Sequence, residues 1–102
     1  MLYALWLEDV PNSKERRLPV SAAHLERIKA AVEAGVIKIA GPFPAVPGKD
    51  PAEVGFAGGL MVADFESAEA ARKWIEEDPY AKAGVFKRIE VQPFNMTFNN
   101  AK

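Results

Sequence analysis

Any histidine-based proton transfer in this chain has to use His24, its one histidine. Imidazole exchanges protons near neutral pH, and a carboxylate on one ring nitrogen fixes which nitrogen is left to react. The chain has no cysteine, which removes thiolate nucleophiles, disulfides and cysteine-ligated zinc or iron–sulfur centres. A lone histidine also removes multi-histidine sites within one subunit, so no metal and no cofactor is expected. The carboxylate best placed by local sequence is Asp78, in the run Asp78-Pro79-Tyr80. Proline is favoured at the first helical position, and aspartate before it accepts hydrogen bonds from the free N–H groups of the first turn. Gly84 supplies the stop, so 79–83 reads as one short helical turn capped by Asp78. A carboxylate has two oxygens and can cap the turn and hold an imidazole at once. From the residues alone two roles stay open: a general acid–base unit, or a structural histidine beside a capping aspartate.

Other side chains bear on a site less directly. Arg16 and Arg17 close a polar stretch, Glu8 to Leu18, that reads as a loop. Solvent is their expected surroundings, and an anion-binding lip for substrate is the functional alternative. Tyr80, Phe43 and Trp6 could line a pocket, although packing in a core or interface is the ordinary use of each. Ser13, Ser21 and Ser67 stand in no nucleophile motif, and Ser21 is explained as a helix cap. The run Gly55-Phe56-Ala57-Gly58-Gly59 lacks the lysine and the following helix of a phosphate loop.

The elements that must carry these residues follow from periodicity. Leu2 to Leu7 is a short apolar run with Tyr3 and Trp6, expected as a strand buried on both faces. Leu25, Ile28, Ala31 and Val32 recur at helical spacing and predict a helix over 22–34, ended by Gly35. Val36 to Ala40 predicts strand two, closed by Gly41-Pro42. Residues 41–59, rich in proline and glycine, read as one long loop of functional or mobile character. Leu60 to Phe65 predicts strand three, and Ser67 caps a helix over 67–77 with Ala71, Trp74 and Ile75 inward. Phe86 to Phe94 mixes charge with apolar residues and ends at Pro93, which suits an edge strand.

Strand, helix, strand, loop, strand, helix, strand is the order of two split β–α–β units. The predicted fold class is therefore α+β, a ferredoxin-like βαββαβ domain over residues 1–95, with an antiparallel sheet and both helices on one face. A loose tail is expected over 96–102. With strand one running up, His24, the 41–59 loop, Arg16, Arg17 and Asp78 all fall at the upper end. Strands one and three are apolar on both faces, so the helix-free face needs cover. A second copy of the same sheet is the simplest cover, and a homodimer is expected.

Length and charge set the remaining bounds. At 102 residues the chain is one domain, and its net charge of −1 carries no basic stripe for nucleic acid. No apolar run reaches the ~20 residues of a membrane span, and no leader pattern opens the chain; the cytosol is the expected location.

Arg17-Leu18 with Ala23-His24-Leu25, Ala40-Gly41-Pro42 with Pro44-Ala45, Gly55-Phe56 with Gly58, Phe65-Glu66-Ser67 and Asp78-Pro79-Tyr80 before Ala83-Gly84-Val85 together carry a resemblance. Across residues 1 to about 94 the chain resembles the YciI-like (YCII-related) proteins. That resemblance implies a dimeric α/β barrel of ferredoxin-like subunits and a histidine–aspartate active site, carried here by His24 and Asp78. A relative in chlorinated-aromatic degradation acts as a dehydrochlorinase, so lyase-type proton chemistry is implied as available to the scaffold. Two functions are weighed. One is a small enzyme of lyase or hydrolase type in which His24 moves a proton, Asp78 orients it and Arg16 or Arg17 meets an anionic small molecule. The other is a non-catalytic ligand-binding or dimerisation module with a structural His24–Asp78 contact. A histidine-ligated haem barrel stands third.

Overall fold

The computed structural model describes residues 1–99. Four strands, β1 (Leu2–Asp9), β2 (Ile37–Pro44), β3 (Phe56–Asp64) and β4 (Phe86–Pro93), form one sheet in the order β2-β3-β1-β4. Every neighbouring pair is antiparallel. Between them run α1 (Lys14–Arg17), a 3-10 turn (Leu18–Val20), α2 (Ser21–Glu33), α3 (Pro51–Val54), α4 (Ala68–Glu76) and α5 (Pro79–Lys82). Two interleaved β–α–β units account for this order, as the periodicity predicts, and β4 takes an edge. No helix among the described residues is long and apolar enough to cross a membrane.

Side-chain alternation along β1 builds the core. Tyr3, Leu5 and Leu7 point to the helical layer and are buried, where they meet Met61, Ala63 and Ile37 of the sheet and Ala71 and Ile75 of α4. Helix α4 starts where expected, its cap Ser67 accepting the Ala70 N–H at 3.1 Å. The opposite residues of the strands face away from the helices. Trp6 and Ile39 remain 49% and 43% exposed on that side, and Trp6 packs its ring against Phe43 at 4.7 Å between centroids.

Four expectations are corrected. Strand β2 does not close at Gly41-Pro42 but continues to Pro44, pairing Gly41 with Leu60 and Phe43 with Gly58. It is an edge strand, so prolines that cannot donate to the ladder are tolerated. The long loop shrinks accordingly to residues 45–55, with α3 inside it capped by Asp50. Glu8 to Leu18 is not all loop, since α1 and the 3-10 turn run directly into α2. That continuity leaves Ser21 inside the helix rather than capping it, and its hydroxyl donates to the Arg17 carbonyl at 2.8 Å. The expected tail over 96–102 falls partly outside the described residues; residues 96–99 form no helix or strand, and Phe98 is exposed.

Glycine is required at one strand position. Gly58 has φ +151°, and a Cβ there would lie 1.9 Å from the backbone oxygen of Leu7. Neighbouring Gly59 would place its Cβ 3.1 Å from the Gly41 oxygen, a contact that small shifts relieve. Gly58→Ala is therefore expected to cost at least about 2 kcal/mol in urea denaturation, and Gly59→Ala clearly less. Equal stabilities for the two variants would contradict this account of the β1–β3 contact.

Candidate active site

Asp78 leaves the end of α4 in an extended conformation and caps α5, which is what Asp-Pro sequences favour. Its Oδ1 accepts the Tyr80 N–H at 2.9 Å and lies 2.8 Å from His24 Nδ1. Its Oδ2 accepts from Arg27 Nη1 at 3.1 Å. The side chain is wholly buried. Burial alone pushes its pKa up; the hydrogen bonds from His24 and the Tyr80 amide, with the charges of His24 and Arg27, outweigh that and hold it below the usual carboxylate value.

An ionised Asp78 has no proton to share, so the proton in the His24 contact sits on Nδ1. In the neutral imidazole this leaves Nε2 bare, a hydrogen-bond acceptor and a base. The ring cannot swing freely, because Tyr80 stacks on it at 3.8 Å and 15°. The Tyr80 hydroxyl in turn donates to Ser21 Oγ at 3.2 Å. Capping, stacking and tautomer are thus set together by residues 78–80.

Arg17 forms the other polar wall. It grips Asp9 with Nε and Nη2 at 2.9 and 3.1 Å, and Ser13 donates to the same carboxylate at 2.6 Å. Its guanidinium lies 4.0 Å from the Phe56 centroid and 4.6 Å from that of Tyr80. Among the described residues Nη1 makes no hydrogen bond, and no fully buried side-chain nitrogen lacks a partner. Nη1 therefore keeps access to open space, as the donor Arg17 can offer a ligand.

His24, Arg17, Tyr80 and Ser21 line a cavity of about 420 Å³ whose remaining walls are largely apolar, among them Leu7, Ile28, Phe56, Met61 and Phe86. That is room for a single small ring. The polar atoms offered to it are few: a base at His24 Nε2, the Tyr80 hydroxyl oxygen as acceptor, and a cation at Arg17. Such a set can take a proton from an acidic ligand and steady the anion that results. Among the described residues no group of three or more His, Cys, Asp or Glu side chains stands close enough to share a metal ion.

Of the residues singled out in the sequence, His24, Asp78, Tyr80 and Arg17 meet here. Arg17 is not solvated as expected; it is buried because Asp9, at the bulged end of β1, supplies its counter-ion. Arg16 is exposed, 3.5 Å from the Ala83 carbonyl, and does not line the cavity. Phe43 does not line it either, since the register turns its ring to the Trp6 side of the sheet. Sequence reasoning passed over Arg27. Its signal was spacing, three residues after His24 on one face of α2.

The model of the YCII-related domain matches residues 1–95. Protein YciI of Escherichia coli is 44% identical over 98 residues, covering 96% of this chain and 100% of that protein. The derivative of benzaldehyde biosynthesis cluster protein C of Emericella nidulans is 37% identical over 86 residues, covering 78% of this chain and 85% of that protein. Among solved structures, 5-chloro-2-hydroxyhydroquinone dehydrochlorinase of Burkholderia phenoliruptrix, in complex with 2,5-dihydroxybenzoquinone, matches with a TM-score of 0.79 at 28% identity. The match covers 93% of this chain and 94% of that one.

A lowered Asp78 pKa has a consequence for stability. The ionised form stabilises the fold in full above the ordinary carboxylate value, and that contribution is lost as pH falls through the lower folded value. The stability difference between the protein and Asp78→Asn is therefore expected to narrow as pH drops from about 6 to about 2, other carboxylates being common to both. Chemical denaturation across that range measures it, and a constant difference would show that Asp78 is not held low.

Proposed function

The chain belongs to the YCII-related domain family, and on that premise we propose that it is a small general acid–base enzyme of lyase type. Its substrate is a small, flat, acidic organic molecule, with a hydroxylated or quinoid ring as the class. The observation that carries this is the His24–Asp78 pair at the wall of an apolar cavity, Nδ1 spent on a buried carboxylate and Nε2 available. In the reaction Nε2 takes a proton from the substrate, the freed electron pair moves through the ring, and an anionic leaving group departs from carbon. The net change is loss of HX, with no oxidant or reductant consumed. Arg17 sits beside the negative charge that builds on the ring. The dehydrochlorinase it resembles, determined with a dihydroxybenzoquinone, supports a ring of this size and an elimination of this kind.

Asp78 also has structural work, capping α5 and receiving Arg27, and this supports a second reading of the pair as a tie within a ligand-binding module. His24→Ala and Asp78→Asn separate the two. For an enzyme, both lower the rate of halide release from chlorinated hydroxyhydroquinones by about 10²-fold or more, read at a temperature where both variants are folded, since His24→Ala also takes a donor from buried Asp78 and lowers the thermal midpoint. Asparagine caps about as well as aspartate, so Asp78→Asn preserves α5 while changing what His24 can bond to. Ligand binding that survives both substitutions while stability falls would favour the module.

A second copy of the chain is part of the same proposal, packed over the helix-free sheet face that leaves Trp6 and Ile39 half exposed. A cytosolic location is proposed with it, in keeping with a chain that needs no disulfide. Burying that face in a standard interface removes about 800 Å² per subunit. Sedimentation at micromolar concentration is expected to give twice the chain mass, and Trp6→Glu a monomer; a monomeric parent protein would end the dimer proposal.

A further inference from the structure

His24 and Arg27 reach Asp78 from the same helix but take different oxygens. His24 faces Oδ1 and Arg27 donates to Oδ2. Arg27 also donates through Nη2 to the carbonyl of Trp74, and its guanidinium lies 4.2 Å from the Trp74 ring centroid. That carbonyl belongs to the last turn of α4. The amide four residues on, that of Asp78, bonds to Ile75 instead, so Arg27 satisfies a helix-end oxygen that α4 cannot. One side chain thus ties the end of α4 to Asp78 and occupies Oδ2, leaving Oδ1 to the imidazole and the Tyr80 amide.

We propose that Arg27 is a positioning residue for the His24–Asp78 pair. By holding Oδ2 it keeps Oδ1 as an acceptor for the Nδ1 proton, and so keeps Nε2 bare at the cavity. The consequence for catalysis rests on the acid–base function proposed above; the effect on the imidazole does not.

Around Asp78 the groups within bonding distance are His24 and Arg27 from α2 and the Tyr80 amide of α5. Without Arg27 the buried carboxylate loses its permanent cation, and an unpaired buried charge is relieved by taking up a proton or by drawing one onto its neighbour. If Asp78 takes the proton, it donates to Nδ1 and the imidazole turns to the tautomer with its hydrogen on Nε2. If His24 takes it, the ring becomes imidazolium, again with a hydrogen on Nε2. Both routes abolish the base. A residue that only tethered two helices would change neither.

Because the chain has one histidine, its ring nitrogens are read without assignment ambiguity by nitrogen–proton correlation spectroscopy on the full-length protein. The parent protein is expected to show a protonated Nδ1 and a bare Nε2 in mildly alkaline solution. In Arg27→Gln a hydrogen appears on Nε2 in about half of the molecules or more, with the amide spectrum still that of a folded protein. Arg27→Lys keeps a cation but loses the planar fork that serves Asp78 and Trp74 together, and is expected to lie between the two. An unchanged Nδ1–H, bare-Nε2 pattern in Arg27→Gln overturns the proposal. Should that variant fail to fold, Arg27→Lys decides: about one tenth or more of the molecules with Nε2–H supports it, and the parent pattern overturns it. No substrate enters the measurement, so a parent protein without turnover would remove the lyase assignment and leave this result standing.

Discussion

A carboxylate closed off from the protein surface organises this molecule. Asp78 is shut inside the protein, where an isolated negative charge is untenable, and it persists there because donors converge on it from α2 and from its own following turn. Each donor belongs to an element that would otherwise be free to settle elsewhere. The short turn of α5, the register of α2 against the end of α4 and the orientation of the imidazole are all set by the need to satisfy two oxygens. Structural and chemical roles are not alternatives at such a residue. The contacts that keep the ion tolerable are the ones that aim the histidine.

The opposite wall repeats the device with the anion carried on the sheet. Asp9 is again the buried anion, and Arg17 the cation that comes down to it from the helical layer, with Ser13 completing the carboxylate's shell. Breaking such a pair by removing one member costs about 3–5 kcal/mol, because the survivor is left charged and dry. Arg17 is therefore a poor residue to delete in search of a binding role. Its stability and its availability to a ligand come from the same fork, two nitrogens committed to Asp9 and one left over. Phe56 and Tyr80 hold the guanidinium between flat faces and limit where that last nitrogen can point.

What could be read from the sequence was the part governed by local chemistry and chain order. Asp-Pro before a short turn identified the Asp78 cap, and the order of strands and helices brought His24 and Asp78 to one end of the sheet. Contacts between side chains distant in sequence were another matter. Nothing near Arg17 announces that Asp9, eight residues earlier and beyond a turn, will bury it. The run Gly41-Pro42-Phe43-Pro44 looked like a strand's end because proline cannot donate to a ladder; at an edge it has nothing to donate to. The same misjudged boundary put Phe43 in a loop beside the pocket, whereas period-two alternation sends it to the other face. Ser21 looked like a cap because the residues before it seemed non-helical, and a continuous run of turns made that duty unnecessary.

The pair at the centre of the site is separated by 54 residues of chain. Contacts of that span form only after the intervening segment, here β2, β3 and α4, has been drawn into place, and closing so large a loop is slow compared with forming a helix. During synthesis His24 leaves the ribosome long before Asp78 exists. The imidazole thus begins as an ordinary solvated side chain and acquires its fixed tautomer only when α2 meets the end of α4. Competence at this site is then a readout of that docking, and a chain in which α2 and the Asp78 turn have not met carries a histidine without the property that makes it useful.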